Sequence, residues 1–345
     1  MDDRRQKNRD ATRRDIHESC DFFEYVRVDD SEPPADRDRI DVAILDMNHS
    51  WPNVGHDSLV HAVLEAAEPL RETLVAAGAK VRVLSYDIRR TLRVPQSPNG
   101  RFQLYVGTGG PGHLDPREND GLKDSSQGIV ENPAWEAPLF RLYDDIAAHD
   151  SAMLLGVCHS FGLMCRWSGA ARVELRAEKS NGMPENVLSQ GATSHPWFSQ
   201  FANGLDDGRH FRVVDNRLFD LIAEQPSAGS IIAREDETSD GVTMIEFARS
   251  ADGTPRILGV NHHPEIIDRE HIMSVLEEKR AHGEVSELWY RERAVTLRDL
   301  FARFEKESRW TSEYTLLGPL RHQLERLVND RVSQARREPT LPVVS

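Results

Sequence analysis

Ala152-Met153-Leu154-Leu155-Gly156-Val157-Cys158-His159-Ser160-Phe161-Gly162 is the stretch on which the reading of this chain turns. It opens as an apolar run of the length of a buried strand. It then passes through Gly156 and a cysteine into Ser160 to Trp167, which reads as the start of a helix. A strand that turns sharply into a helix lifts the side chain at the turn clear of the sheet. The helix N-terminus then offers backbone N–H groups and a positive dipole end to a thiolate. Glycine is needed close by because such a turn crowds its neighbours. Cys158 is therefore a candidate nucleophile, and the competing reading is a buried structural cysteine. This stretch alone leaves both open.

Working outward, the neighbouring segments repeat a strand–helix rhythm. Asp41 to Asp46 is a buried-strand run, and Asp57 or Ser58 is placed to cap a helix with apolar residues at helical spacing from Leu59 to Val75. Gly78 closes that helix, and Lys80 to Leu84 is the next strand. Strand, helix, strand in this order predicts a parallel pair with a right-handed crossover. A third strand over Phe102 to Val106 runs into Gly107-Thr108-Gly109-Gly110-Pro111-Gly112, and a helix is expected from Pro133 to His149 before the cysteine strand. Arg172 to Ala248 reads as shorter strands and turns, with candidates at Arg209 to Val214, Ser230 to Ala233 and Val242 to Ala248. Pro255 to Val260 ends another strand at Asn261-His262-His263-Pro264-Glu265, followed by a helix from Ile266 to His282. The expected fold class is α/β, a mostly parallel central sheet flanked by helices with functional loops at the carboxyl ends of its strands.

The flanks differ from this core. Residues 1–39 are rich in Asp, Arg and Glu and read as a charged, disordered extension with a short helix around Ile16 to Phe23. Residues 40–285 form the α/β domain. Residues 286–345 form a helical C-terminal extension, charged from Trp289 to Arg336 and broken near Leu317-Gly318-Pro319. This tail reads as a docking element or as a homo-oligomer contact through its helices.

Composition narrows the function. The 345 residues are 39% hydrophobic, enough for a proper core. A formal net charge of −14 argues against a nucleic-acid partner, which calls for a basic face. No apolar run has the length of a membrane span and the N-terminus lacks a signal peptide's apolar region, so no membrane partner is expected. Cys20, Cys158 and Cys165 make neither a disulfide framework nor a paired metal-ligand spacing, which points to a reducing, cytoplasmic compartment.

Three constellations carry chemistry: the Cys158 turn, the glycine loop and His263-Pro264-Glu265. A thiol attacks a carbonyl as the thiolate, so it needs a base and a group that orients the base. His263 suits the first role and Glu265 the second, with Pro264 holding the backbone extended between them. The oxyanion formed on attack needs backbone donors, for which Gly109-Gly110 and the N–H of His159 are placed. Together, Gly156-Val157-Cys158, Gly109-Gly110-Pro111-Gly112 and Gly259 to Glu265 resemble the class I (triad) glutamine amidotransferases over roughly Asp41 to His282, and look closest to GMP-synthase-like domains. Ser194-His195-Pro196-Trp197-Phe198 through Gly204-Leu205 also looks like a stretch of that family. The resemblance implies a flavodoxin-like sheet and hydrolysis of the glutamine side-chain amide through a thioester on Cys158. It makes His263 the base, Glu265 the orienting acid, and Gly110, with Gly112 beside it, an oxyanion or glutamine contact. It implies no cofactor, and ammonia passed to a separate synthetase or other acceptor enzyme, since no synthetase domain is present.

The sequence also departs from that family. Its usual turn is Gly-x-Cys-x-Gly-x-Gln, whereas Ser160 and Gly162 stand here at the second and fourth positions after the cysteine. The family's glutamine there helps to hold the substrate, so another small amide, ester or thioester substrate stays open. A non-catalytic or regulatory binding module that kept the fold is the alternative to an enzyme. His262 beside His263 is disfavoured as a metal pair because adjacent strand residues point to opposite faces. Asp46 either faces the site or caps a turn, His113 and Asp115 read as a solvated loop with pocket lining as the alternative, and Cys165 is expected to pack within its helix.

Overall fold

Alternation along the central strands decides how the sheet is covered. The computed structural model describes residues 19–51, 53–98, 100–224 and 228–337. In chain order, the first half contributes β1 (Phe23–Val28), β2 (Arg39–Asp46), α1 (Val54–Ala67), α2 (Arg71–Ala76), β3 (Lys80–Asp87), α3 (Ile88–Thr91) and β4 (Leu104–Gly107). Then follow α4 (Glu136–Ala148), β5 (Met153–Val157), α5 (His159–Ser168), β6 (Ala171–Gly182), β7 (Glu185–Leu188), α6 (Phe198–Asn203) and β8 (His210–Arg212). The remainder is β9 (Asp215–Ala223), β10 (Ser230–Arg234), β11 (Val242–Arg249), β12 (Pro255–Val260), α7 (Arg269–Ala281), α8 (Glu287–Ser312) and α9 (Gly318–Arg337).

Among the described residues, ten strands form one sheet in the order β1-β3-β2-β4-β5-β12-β11-β10-β7-β8. From β1 to β12 each neighbouring pair is parallel. From β12 outward the pairs are antiparallel. The expected fold class holds. Val42 and Ile44 of β2, Leu104 and Val106 of β4, and Met153, Leu155 and Val157 of β5 enter one core beneath α1. Ala43, Leu45, Tyr105 and Leu154 enter the opposite core beneath α4. A strand covered on both faces has no polar face to show, which is why these segments read as continuous apolar runs.

Several expectations change. The charged extension does not reach residue 39: Phe23–Val28 pairs in parallel with β3, and Phe22 and Phe23 are buried. An edge strand needs only one partner and tolerates charged residues on its open side, so its composition resembles a tail. Of the helix expected over Ile16 to Phe23, the part before residue 19 lies outside the described residues, and the rest is not helical. The first long helix starts earlier than expected, with Asn53 as its cap accepting from the Gly55 N–H at 2.7 Å. Asp57 and Ser58 are instead buried, and the Asp57 carboxylate faces Lys279 Nζ at 2.9 Å.

The region after α5 is not only short strands. β6 and β9 pair as a long antiparallel ribbon, separate from the main sheet. The C-terminal helices do not break at Gly318 either. A π-helical segment, Glu313–Leu317, joins α8 to α9 immediately before Pro319, and such a local widening is how a continuous helix accommodates a residue without an N–H. The irregular point is Phe304 within α8, with φ −135° and ψ 16°. Leu316, Leu320, Leu324 and Val328 belong to the same core as α1, so residues after 286 are packed into the sheet domain rather than standing apart from it. None of the described helices is long and apolar enough to cross a membrane.

Candidate active site

The turn after β5 is the most strained point of the site. Cys158 has φ 50° and ψ −104°, a combination an L-residue adopts at a cost of about 1–3 kcal/mol. Two bonds fix it there: the Cys158 N–H donates to the Val260 carbonyl of β12 at 2.7 Å, and the Gly162 N–H donates to the Cys158 carbonyl at 3.0 Å. Ser160 fits the crowded turn because its hydroxyl donates to the Thr108 carbonyl at 2.7 Å. A Cβ on the facing Gly107 would lie 2.6 Å from the Ser160 Cβ, so the serine is accommodated by the absence of a side chain at Gly107.

His263 and Glu265 follow β12, the strand that neighbours β5 in the sheet. His263 Nδ1 and Glu265 Oε1 are 2.7 Å apart, with the histidine 12% and the glutamate 0% exposed. The His263 N–H donates to the Val214 carbonyl at 2.8 Å, which sets the backbone of the pair. Burial acts to lower the His263 pKa, but the Glu265 carboxylate and the neighbouring Cys158, in hydrogen-bonding reach of the ring, raise it well above its ordinary value. Gly109 packs between the two side chains: a Cβ built there would lie 3.1 Å from His263 Cε1 and 3.6 Å from Cys158 Cβ. The three sequence-expected constellations thus meet at one place.

A pocket of about 250 Å³ opens at this point, lined by Cys158, His263, Gly110, Gly112 and His159 among others. The Gly110 N–H makes no hydrogen bond among the described residues, and the His159 N–H is the first of α5, one of the donors a helix leaves unsatisfied. Gly112 lines the pocket, but its N–H donates to Gln127 Oε1 at 2.7 Å and its φ is +83°. Its contribution is therefore to the shape of the loop. The His159 ring is buried, and burial followed by the charges of Arg89 and Arg166 holds its pKa well below the ordinary value.

Residues that the sequence did not single out complete the site. Arg89 anchors the glycine loop, donating from Nη1 to the carbonyls of Met47 (2.8 Å) and Pro111 (2.7 Å) while its fork pairs with buried Glu131 at 2.8 Å. Leu114 occupies the space in front of Gly162, where any Cβ would collide with its side chain. Lys179 and Arg217 of the ribbon, with Trp289 and Arg293 of α8, form the far side of the pocket. No local motif marks any of them. Asp46 caps a turn, accepting from the Asn48 N–H at 3.0 Å. His113 is half-buried with its ring edge on Phe219 (4.8 Å between centroids), less solvated than expected. His262 points away from the pocket toward Phe211, both ring nitrogens without a partner among the described residues. Cys165 is fully buried, and burial raises its thiol pKa well above the ordinary value.

Solved structures of similar fold include glutamine amidotransferases. One from Thermotoga maritima is 16% identical, with 83% of this chain and 98% of that chain aligned at a TM-score of 0.47. Another, from Methylobacillus flagellatus, is 15% identical over 84% of this chain and 95% of that chain, also at 0.47. No protein-family profile matches the chain. No curated protein matches it either.

Proposed function

We propose that the chain is a cysteine-dependent amide hydrolase of the glutamine amidotransferase type, acting from Cys158 with His263 and Glu265. The observation that carries this reading is the His263–Glu265 pair at 2.7 Å, set against a cysteine on a strained strand-to-helix turn inside an open pocket. Attack by the Cys158 sulfur on an amide carbonyl forms the C–S bond, and the thiol proton goes to His263. The oxyanion is met by the N–H groups of Gly110 and His159. Collapse breaks the C–N bond, and the amine leaves with the proton from His263, giving a thioester. Water then attacks the thioester, its proton passing to His263, and the released thiolate recovers that proton. Glu265 holds the imidazole in the tautomer and orientation these transfers need. No metal or cofactor is required by this sequence of steps, and released ammonia would serve a separate acceptor enzyme in the cytoplasm.

The substrate is glutamine or a related small amide. One observation favours a related compound: Leu114 fills the space that a larger residue at position 162 would need. The decisive experiment measures ammonia release from glutamine and from a panel of small amides, alongside labelling by a diazoketone glutamine analogue. Turnover and a mass increment on the Cys158 peptide are expected, both absent in Cys158→Ala. Labelling that persists in Cys158→Ala would overturn the assignment.

A further inference from the structure

The mouth of the Cys158 pocket carries two cations that the mechanism above does not use. Lys179 comes from the ribbon strand β6 and Arg293 from α8, and both line the pocket. Lys179 stands at the exposed rim, and its pKa is lowered by desolvation and then by the charge of Arg293. Arg293 is half-buried, its guanidinium resting over the Trp289 ring at 5.7 Å from the centroid. Neither cation forms an ion pair with a carboxylate among the described residues. The third pocket cation differs: Arg217 Nε lies 3.3 Å from Asp215 Oδ2, and its Nη2 lies 3.0 Å from Glu235 Oε2.

Two positive charges lining one pocket without a carboxylate partner among the described residues repel each other, and the partial burial of Arg293 adds a desolvation cost. They occur here on a chain whose net charge is −14, so carboxylates are not scarce. An arrangement that is unfavourable when empty becomes favourable when an anion sits between the two groups. The alternative hold on a substrate, a side chain at position 162, is closed by Leu114.

We propose that Lys179 and Arg293 form the specificity clamp of this pocket, gripping a carboxylate on the far end of the acyl substrate while its carbonyl lies at Cys158. The substrate class is then an amide or ester whose acyl chain ends in a free carboxylate, held from the ribbon and the C-terminal helix rather than from the cysteine helix. This rests on Cys158 being the nucleophile. The clamp and the nucleophile fail in different ways.

Two alkylating reagents of nearly equal size separate them: neutral iodoacetamide and anionic iodoacetate. The rate of each is read by mass spectrometry at the Cys158 peptide of the full chain, and their ratio cancels any change in the fraction of thiolate. Relative to a free thiol in solution, the wild-type ratio at Cys158 should favour iodoacetate. Removing one cation in Lys179→Gln or Arg293→Gln should lower that preference about fivefold, and removing both should lower it further. Arg293→Lys should retain most of it, and the ratio at exposed Cys20 should not move in any variant. Alkylation of Cys158 with a ratio that is the same in all variants overturns the clamp and leaves the nucleophile standing. A Cys158 that neither reagent alkylates overturns both.

Discussion

Two histidine–carboxylate pairs in this molecule look alike on paper and live in different worlds. His263 meets Glu265 at 2.7 Å and faces Cys158. His56 meets Asp57 at 2.9 Å, and its other nitrogen lies 2.9 Å from the hydroxyl of Ser85. By residue type the second set, serine, histidine and aspartate, has the makings of a hydrolase. Yet Ser85, His56 and Asp57 are 2%, 1% and 0% exposed, and Ser85 sits in the regular extended backbone of β3. Cys158 by contrast is held at φ 50° on a turn that opens into a pocket. The comparison teaches that hydrogen-bonded partners alone do not make a site. A strained turn that presents the nucleophile, unengaged backbone donors and room for a substrate distinguish the two.

Breaking the first set should have the largest effect on chemistry. Cys158→Ala is expected to reduce amide turnover to background, a loss on the order of 10⁴-fold or more, with little change in melting temperature. Retained turnover in a rate assay would move the chemistry elsewhere. Glu265→Gln should follow, with a loss of about 10²–10⁴-fold, because the histidine loses its orienting charge. The same variant has a pH signature. A histidine whose pKa is raised by folding contributes stability that is complete below about pH 6.5 and is lost as pH rises through the folded value. Denaturant titrations from pH 6 upward should therefore show a steeper loss in the wild type than in Glu265→Gln. Equal slopes would mean that Glu265 does not hold the proton on His263.

Breaking the second set should cost stability and leave chemistry alone. Asp57 pairs at 2.9 Å with Lys279 Nζ, a fully buried cation whose other carboxylate, Glu284, is farther away at 3.5 Å. Asp57→Asn weakens that pairing and is expected to cost about 3 kcal/mol. Urea unfolding gives the first quantity and Cys158 alkylation the second. A large drop in alkylation rate with unchanged stability would contradict the structural role assigned to this cluster.

The candidate cluster is legible in sequence because each of its parts is local. The strand-to-turn run at Met153 to Cys158, the glycine loop and His263 to Glu265 each state their chemistry within a few residues, and the parallel topology brings strand ends together at one edge. What was hidden depends on partners distant in sequence. Ala171 to Glu178 of β6 alternates apolar and charged residues at a strand's period of two, so the strand itself is legible; that its partner is β9 rather than a strand of the main sheet is not. Lys179 and Arg293 become a pair only because that ribbon and α8 both reach the pocket. Leu114 looks like an ordinary loop residue until it is seen against Gly162. β1 reads as part of a tail because four of its six residues are only partly buried, and charged residues are tolerated there.

The two adjacent histidines sharpen the same contrast on a smaller scale. His263 gains a carboxylate on folding, whereas His262 meets Phe211, with ring centroids 5.9 Å apart, and no polar partner among the described residues. Burial, with the charges of His263 and Arg217 as lesser causes, pushes the His262 pKa down to about 3. The sign is therefore opposite to that of His263: its stability contribution is present near neutrality and is lost as pH falls below about 6.5 toward 3. Phenylalanine matches the imidazole in shape and brings no nitrogen that needs a partner. His262→Phe should raise stability at pH 7 by about 1 kcal/mol and flatten the acid limb of the stability profile, with Cys158 alkylation unchanged. Unfolding curves at pH 7 and pH 5 measure both effects. A variant whose acid limb matches the wild type would show that His262 is not the buried neutral group, and that the opposite titrations of these neighbours do not arise from their opposite faces on the strand end.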